Sequence, residues 1–257
     1  MGAERMRASR VAAALLAAAF ALPLAALVVR AFADEWRAPA VVPQQFGLRG
    51  VHEAFSSMSL EAFGNSLLVA VLTLSTALAL GWPAARVLGE RRLRHPALIF
   101  GLLALPLLVP SYATGTGLTE WFLRFGLADS LLALVLAHLV LVLPYVVVVL
   151  LAGFGPALRD LEEMGDVHGL SRPARLWLVT LPAVRPTLAA AALVGFLVSW
   201  SEYGSSLAVG GGRPMLPLVL LPFVGSDPEV AAALSLLFLL PAVAALVAAT
   251  RAAREPL

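Results

Sequence analysis

Residues 160–169 read Asp160-Leu161-Glu162-Glu163-Met164-Gly165-Asp166-Val167-His168-Gly169, and they form a charged island between two long apolar runs. A segment with so many ionisable side chains cannot lie in hydrocarbon, so it must be a loop outside the bilayer. The pair Leu181-Pro182 stands between this island and the next apolar run. The sequence therefore predicts a membrane protein with one large polar loop at 154–185.

The composition supports a membrane protein. Apolar residues make up 60% of the chain and charged residues 13%, against about 25% charged residues in soluble domains. The chain has no cysteine, which excludes disulfides, thiolate metal sites and a cysteine nucleophile. All 18 basic residues are arginine, so no phosphate-binding loop ending in Gly-Lys-Ser/Thr is present. We expect no cofactor in this chain; if ATP drives it, another chain binds the ATP.

Six apolar segments are each close to the about 20 residues that a helix needs to cross a bilayer. They predict an all-α membrane protein, a single transmembrane domain over 1–257, with spans at about 11–32, 63–85, 97–117, 130–153, 186–209 and 229–250. The polar gap 33–62 reads as an extramembrane loop with one short surface helix near 51–61. Prolines inside the spans can bend them, and Pro106 and Pro110 predict a bent segment that either serves packing or lines a path.

The arginines predict the orientation. With the N-terminus inside, 13 of the 18 arginines, including Arg91 and Arg92, are cytoplasmic. The other five are on or near the outer face: Arg30, Arg37, Arg49, Arg124 and Arg213. Both termini and the loop 154–185 are then cytoplasmic. The first apolar run ends in Ala31-Phe32-Ala33, which also suits a cleaved secretory signal, but it is longer than the 7–15 residues usual for one, so we favour an uncleaved anchor.

The loop 154–185 has its own local structure. Residues 157–168 are good helix formers, with Leu158, Leu161, Met164, Val167 and His168 on one side. The charged side chains on the other side would face solvent or a partner: Arg159, Glu162, Glu163 and Asp166. Gly169 can end this helix in a left-handed conformation, and Ser171 can cap a second helix at 173–180, after which Leu181-Pro182 turns the chain into the fifth span. The alternatives are a docking knob for a soluble partner and a connector lying on the inner leaflet.

The spacing resembles the EAA loop of permease subunits from binding-protein-dependent (type I) ABC importers. Glu163 matches the motif glutamate, Gly169 its glycine and Leu181-Pro182 its closing pair, while Met164 and Gly165 stand where the family usually has two alanines. The resemblance covers the chain from the second span to the C-terminus. It implies that the loop is a coupling helix docked on an ATPase subunit, with Glu163, Asp166, His168, Gly169 and Ser171 at or near the contact.

The fifth predicted span carries the most polar segment within an apolar run, Ser199 to Ser206. Ser199, Glu202, Tyr203 and Ser206 follow three- and four-residue spacing, so one helix face would be polar and turned to a cavity. Glu202 is either a cation-attracting, path-lining group or a hydrogen-bonded structural carboxylate. Weaker candidates for the translocation path are Tyr112 and His138, the latter more typical of an interhelical hydrogen bond.

Three classes of function compete. A secondary transporter using Glu202 as a coupling carboxylate ranks second, because only one convincing intramembrane acid and no repeat are visible. A membrane enzyme lacks a recognisable catalytic constellation. The favoured function is the permease subunit of an ABC importer, which is not itself an enzyme and forms half of a translocation pathway.

The resemblance also implies the surroundings of this chain. The partners would be ABC ATPase subunits, an extracytoplasmic solute-binding protein, a second permease subunit (a sibling or an identical copy) and the lipid bilayer; no nucleic acid is expected. The location would be the bacterial cytoplasmic (inner) membrane. The segment Trp200 to Ser206, followed by Gly210-Gly211-Gly212-Arg213-Pro214, is most similar to importers of polyamines, thiamine or ferric iron. This second segment is expected to form, with Pro217 and Pro222, the outer loop between spans five and six.

Overall fold

The structure, a computed structural model, describes residues 2–90 and 94–254. Arg91 and Arg92, two of the arginines used to predict the orientation, lie outside the described residues. Helices dominate the described chain, as expected where backbone polar groups must find partners without water.

The elements run in the order α1 (Gly2–Ala31), β1 (Ala33–Glu35), β2 (Gln45–Phe46), α2 (Arg49–Ala54), α3 (Ser57–Gly89), α4 (Pro96–Ala104), a 3-10 turn (Leu105–Leu108), α5 (Ser111–Arg124), α6 (Leu131–Leu151), α7 (Pro156–Val167), α8 (Arg172–Arg175), a π-helical turn (Leu176–Thr180), α9 (Leu181–Trp200), α10 (Gly204–Val209), α11 (Leu216–Ser226) and α12 (Pro228–Arg254). The strands β1 and β2 form an antiparallel pair in which Ala33 lies opposite Phe46. The predicted surface helix near 51–61 is therefore two helices, since α2 ends at Ala54 and α3 already begins at Ser57.

Five helical stretches among the described residues are long and apolar enough to cross a membrane: Arg10–Ala31, Ser57–Gly89, Leu131–Leu151, Arg172–Trp200 and Pro228–Arg254. A sixth span is obtained if the bent pair Ala97–Leu108 and Ser111–Arg124 counts as one. The two arms of this pair meet at 100°. Val109 and Pro110 are both extended, with ψ of 133° and 135°. For Val109 the cause is Pro110, because a proline disfavours the helical conformation of the residue before it. The bend predicted from Pro106 and Pro110 is confirmed.

The predicted fifth span at 186–209 differs from the observed helix at both ends. One helical stretch runs from Arg172 to Trp200, so Leu181-Pro182 does not turn the chain. The π-helical turn just before Pro182 explains the continuity, because a widened turn leaves room for the proline ring that would otherwise meet a carbonyl of the preceding turn. At the other end the helix stops at Trp200, and α10 begins only at Gly204.

The segment after α10 also differs from the prediction. Residues 210–215 form a loop in which Gly211 and Gly212 have φ of +54° and +83°. Beyond it, Pro217 and Pro222 lie inside helix α11 instead of an irregular loop. Pro217 is tolerated because its missing N–H falls in the first turn, where the N–H groups have no intrahelical partner.

The described residues form two compact units, one made of residues 2–61 and 219–240 and the other of 62–90, 94–218 and 241–254. In the second unit α3, α6 and α9 enclose an apolar core that includes Ala77, Val142, Val146, Leu150 and Val184. A side-chain carbon on Gly195 of α9 would come within 2.8 Å of Val146, so this glycine permits close helix packing. The prediction of a single permease domain stays a prediction.

Candidate functional site

Helix α7 and the turn after it form the centre of the loop 154–185. The helix covers Pro156–Val167, close to the predicted 157–168. Gly169 has a φ of +76° and follows the helix end, as its position predicted. The hydroxyl of Ser171 accepts the backbone N–H of Ala174 at 3.4 Å and caps α8. Two helices with a glycine turn between them therefore project from the ends of α6 and α9, whereas the cytoplasmic location of this projection stays a prediction.

The buried face of α7 contains only part of the predicted apolar side. Leu158, Glu162 and Gly165 are buried at four- and three-residue spacing. Leu161, Met164 and Val167, which were predicted to share one side with Leu158, are 44%, 58% and 85% exposed. The structure therefore leaves these three side chains as an exposed apolar stripe.

This stripe continues onto the segment after the turn. Trp177 and Leu178 of the π-helical turn are 69% and 67% exposed. A groove of about 540 Å³ lies between α7 and this segment, and its lining is mostly apolar, with Leu161, Met164, His168, Leu178 and Pro182 among the lining residues. We define the ridge as Leu161, Met164, Val167, Trp177 and Leu178. Exposed apolar ridges of this kind mark surfaces that a partner or a membrane covers.

The polar residues predicted at an ATPase contact surround the ridge. Glu163, Asp166 and His168 are all exposed. Asp166 forms an ion pair with Arg175 across the glycine turn. The Nδ1 of His168 lies 2.7 Å from the carbonyl oxygen of Met164, so the imidazole satisfies one of the last carbonyls of α7. The turn is thus held by its own side chains while Glu163 is left facing solvent.

Glu162 is a site residue that the sequence reasoning missed. It was grouped with the solvent-facing charges, but it is 8% exposed. Its Oε2 lies 2.6 Å from Nη2 of Arg86 in α3, and its Oε1 accepts a hydrogen bond from the hydroxyl of Thr180. The sequence did contain one indication of its burial. Leu158, Glu162 and Gly165 have helical spacing and form a second face of α7, which is missed when only apolar residues are considered. Nothing in the local sequence points to Thr180.

The polar residues of the fourth and fifth spans meet around His138. This histidine of α6 is fully buried, and its two ring nitrogens lie 2.9 Å from the hydroxyl oxygens of Ser199 and Ser206. Ser206 donates its hydroxyl proton to the backbone carbonyl of Glu202 at 2.9 Å. Nε2–H of His138 must then donate to Ser206, and Nδ1 must accept from Ser199. The imidazole therefore joins the end of α9 to α10 across the break, which is the structural interpretation of this residue.

Glu202 lies in the break itself. Its Oε1 accepts the backbone N–H of Ser205 at 2.9 Å and so caps the start of α10. This contact is the one expected if Glu202 is a hydrogen-bonded structural carboxylate, the second of its two predicted roles. Tyr203 is half-buried beside it, while Tyr112 is 53% exposed at the start of α5. A side-chain carbon on Gly204 would lie 2.7 Å from the backbone nitrogen of Tyr112, so the bend and the break are adjacent; their place on a translocation path stays a prediction.

The other unit carries a separate charged cluster. Both guanidinium ends of Arg49 in α2 pair with Asp227, one contact measuring 3.0 Å. The hydrogen bonds from Arg49 hold the pKa of Asp227 below its ordinary value. Arg30 pairs with Glu229 at 3.7 Å and lies over the ring of Trp36 at 5.4 Å from its centroid. These contacts tie α1, α2 and the start of α12 together.

Comparisons with known proteins place this architecture in a class of membrane transport subunits. The chain is 33% identical over 190 residues to the ABC transporter permease protein ORF1 of Streptomyces antibioticus, covering 72% of this chain and 82% of that protein. It is 35% identical over 195 residues to the molybdenum transport system permease protein ModB of Mycobacterium tuberculosis, covering 69% and 73%. It is 30% identical over 190 residues to the spermidine/putrescine transport system permease protein PotC of Escherichia coli, covering 72% and 71%.

The fold agrees with these relatives. A crystal structure of a bacterial ABC transporter involved in the import of the acidic polysaccharide alginate superposes with a TM-score of 0.69 at 17% identity, covering 95% of this chain and 96% of that chain. No family model matches the sequence. On the relatives' identity and coverage, the chain belongs to the ABC transporter permeases.

The family membership decides between the predicted functions. The chain is a membrane-spanning subunit of an ABC importer, as predicted, and the secondary transporter is the less supported alternative. It is a transport subunit and not an enzyme, because ATP hydrolysis belongs to a separate ATPase. A permease of this kind implies in general an ATPase, a binding protein and a second permease, in a multi-pass arrangement in the inner membrane. The predicted similarity to the polyamine group agrees with the match to PotC. The relatives also include the permease of a molybdenum system.

Proposed function

We propose that this chain forms half of a solute pathway and that α7, with the turn after it, is the knob by which a separate ATPase subunit moves it. The knob faces the cytoplasm, together with both chain termini. The second half of the pathway is another permease subunit, a sibling or an identical copy, and a solute-binding protein delivers cargo from the other side of the membrane.

The observation that carries the proposal is the ridge. Five apolar side chains, between 44% and 85% exposed on α7 and at least 67% exposed on the π-helical turn, protrude from a segment rich in charge. Burying one such side chain in a partner is worth about 1.5–3 kcal/mol, which gives a reason for keeping these residues apolar. Around the ridge, Glu163 and the Asp166–Arg175 pair form a polar rim. An apolar centre with a charged rim is the composition of a protein interface.

The adjoining inner leaflet is the competing occupant of the ridge. A helix that lies on a leaflet typically carries arginine or lysine on its polar face, to meet anionic lipid headgroups. On α7 the polar face carries Asp160, Glu163 and Asp166 against Arg159 alone. This acidic excess on α7 favours a basic protein cleft over a lipid surface for the α7 part of the ridge, while Arg172 and Arg175 precede Trp177 and Leu178.

Cross-linking tests the proposal directly, because the chain has no cysteine and each introduced thiol is unique. We expect Val167→Cys to form a cross-link with the ATPase subunit in membranes that contain both chains. The matched control is Val41→Cys, which is 87% exposed in the segment between β1 and β2 and is expected to give none. Val167→Asp should weaken recovery of the ATPase with the permease by about tenfold, corresponding to ~1.4 kcal/mol. A Val167→Cys thiol that reacts only with lipid-borne reagents would contradict the proposal.

A further inference from the structure

Glu162 is a buried carboxylate that bonds two other segments of the chain at once. One oxygen lies 2.6 Å from Nη2 of Arg86, near the end of α3. The other accepts the hydroxyl proton of Thr180, at the end of the π-helical turn. Thr180 is 1% exposed and Glu162 8% exposed. Both carboxylate oxygens therefore have partners inside the protein, as a buried charge requires.

The arginine of this pair is itself held in place. Nε of Arg86 lies 2.9 Å from Oε1 of Glu90, one turn further along the chain. Arg159, one turn before Glu162 on α7, donates from Nη2 to the backbone carbonyl of Glu90 at 3.1 Å. Helix α7 is thus attached to the end of α3 at two successive turns.

An apolar wall closes one side of these ionic contacts. The rings of Trp82 and Phe154 meet edge to face with centroids 5.0 Å apart. Leu158 of α7 and Leu88 of α3, which are 7% and 8% exposed, belong to the same buried cluster. A side-chain carbon on Gly89 would lie 2.2 Å from the carbonyl oxygen of Phe154, so the backbones are in direct contact. The Glu162 carboxylate is therefore shielded on this side, while the Arg86 side chain stays 30% exposed.

The third attachment is in an unusual place. Thr180 ends the π-helical turn, where the N–H of Leu181 bonds to the carbonyl of Leu176, five residues back. Single widened turns inside helices are frequent at functional sites. This one continues directly into α9 and so into the helical stretch that ends at Trp200.

We propose that Glu162 is a positioning residue that locks the knob to two membrane-length helices, so that α3 and the 172–200 helix follow any movement of α7 as one body. The inference rests on the proposed function, since it describes how a movement imposed by an ATPase leaves the knob. The inference also assigns different roles to the neighbouring carboxylates Glu162 and Glu163. Successive residues on an α-helix point about 100° apart, so Glu163 faces the partner while Glu162 faces inward.

The test uses Glu162→Gln in the full complex with its ATPase, reconstituted in liposomes. Glutamine has nearly the size of glutamate and can still accept from Thr180, but it lacks the charge that holds Arg86. The probe is a fluorescent maleimide reacting with a cysteine at Ser201, an exposed position in the break after α9. In the wild-type background ATP should change the labelling rate. With Glu162→Gln we expect ATP hydrolysis to continue while this ATP-dependent change falls roughly fivefold or more, a loss in the range of ordinary coupling energies.

Glu163→Gln is the matched control, because it removes the neighbouring charge from the exposed side. It should lower recovery of the ATPase with the permease, while the complexes that do form keep the wild-type response per ATP hydrolysed.

An unchanged labelling response per ATP in Glu162→Gln would overturn the inference. If Glu162→Gln does not assemble, Thr180→Val decides, since it keeps the ion pair and removes only the link to the π-helical turn: a reduced response supports the lock, and a wild-type response overturns it. If chains with Glu162 intact neither cross-link to the ATPase through Val167→Cys nor change their labelling at Ser201→Cys on addition of ATP, the proposed function itself has failed.

Discussion

At the scale of single residues, side chains of similar chemistry have different tasks because their neighbours differ. Glu162, Glu163 and Glu202 are all carboxylates near apolar surface. The first bonds Arg86 and Thr180, the second is exposed, and the third caps α10 through the N–H of Ser205. Sequence spacing distinguished none of these tasks, because each depends on which chain segment packs alongside.

The same substitution, glycine to alanine, should change stability in opposite directions at two positions of the knob. Gly165 is helical, and a side-chain carbon there would lie 3.3 Å from the terminal carbon of Leu170, a flexible side chain. We expect Gly165→Ala to raise stability by up to about 1 kcal/mol, because alanine is the better helix former. Gly169 has a φ of +76°, so Gly169→Ala should lower stability by about 1–2 kcal/mol.

Thermal unfolding of the two variants in the same detergent measures this difference. The pair is its own control, since both changes add one methyl group to the same short segment. A loss of stability in Gly165→Ala as large as that in Gly169→Ala would show that Leu170 cannot move aside. Alanine at 165 is also the residue usual in the EAA loop.

At the scale of elements, apolar length predicted which helices exist, and proline positions predicted the bend before α5. The break after Trp200 was not predicted, because Ser199 to Ser206 keeps helical spacing of polar residues. A tertiary contact joins the two sides of the break, since His138 bonds both Ser199 and Ser206. On α7 the prediction misplaced Glu162, which it grouped with the exposed charges, because the inward face of this helix contains a charge.

The contact between α2 and the start of α12 should depend on pH. Arg49 lowers the pKa of Asp227 below its ordinary 3.8. The pair therefore contributes stability above about pH 4, and the contribution is lost as the pH falls through the lower folded pKa. Because the side chains are 48% and 26% exposed, we expect only ~0–1 kcal/mol.

Asp227→Asn isolates this contribution. Asparagine can still accept the N–H of Val230, which Asp227 accepts at 3.2 Å, so the cap of α12 is kept. Unfolding temperatures of the two proteins should differ slightly at pH 7 and converge as the pH falls through the lowered pKa of Asp227. High salt should also reduce the difference at pH 7. A difference that grows on acidification would exclude the ion pair as its cause.

At the scale of the whole molecule, the sequence predicted the class of protein from one loop and the apolar spans, and the relatives agree. The side of the membrane on which the knob lies rests on arginine placement. We expect a membrane-impermeant maleimide to label Val41→Cys in intact cells and Val167→Cys only after the membrane is opened. Labelling of Val167→Cys in intact cells would reverse the proposed orientation.

The widened turn at Leu176–Thr180 has a geometric consequence for everything after it. One surplus residue in a turn offsets the angular phase of the following helix by about 100°. Deletion of one residue there would restore a regular α-helix. It would also rotate α8, which precedes the turn, by the same angle relative to α9. Under the proposed function, a single extra amino acid therefore sets the orientation in which α7 is presented to the ATPase.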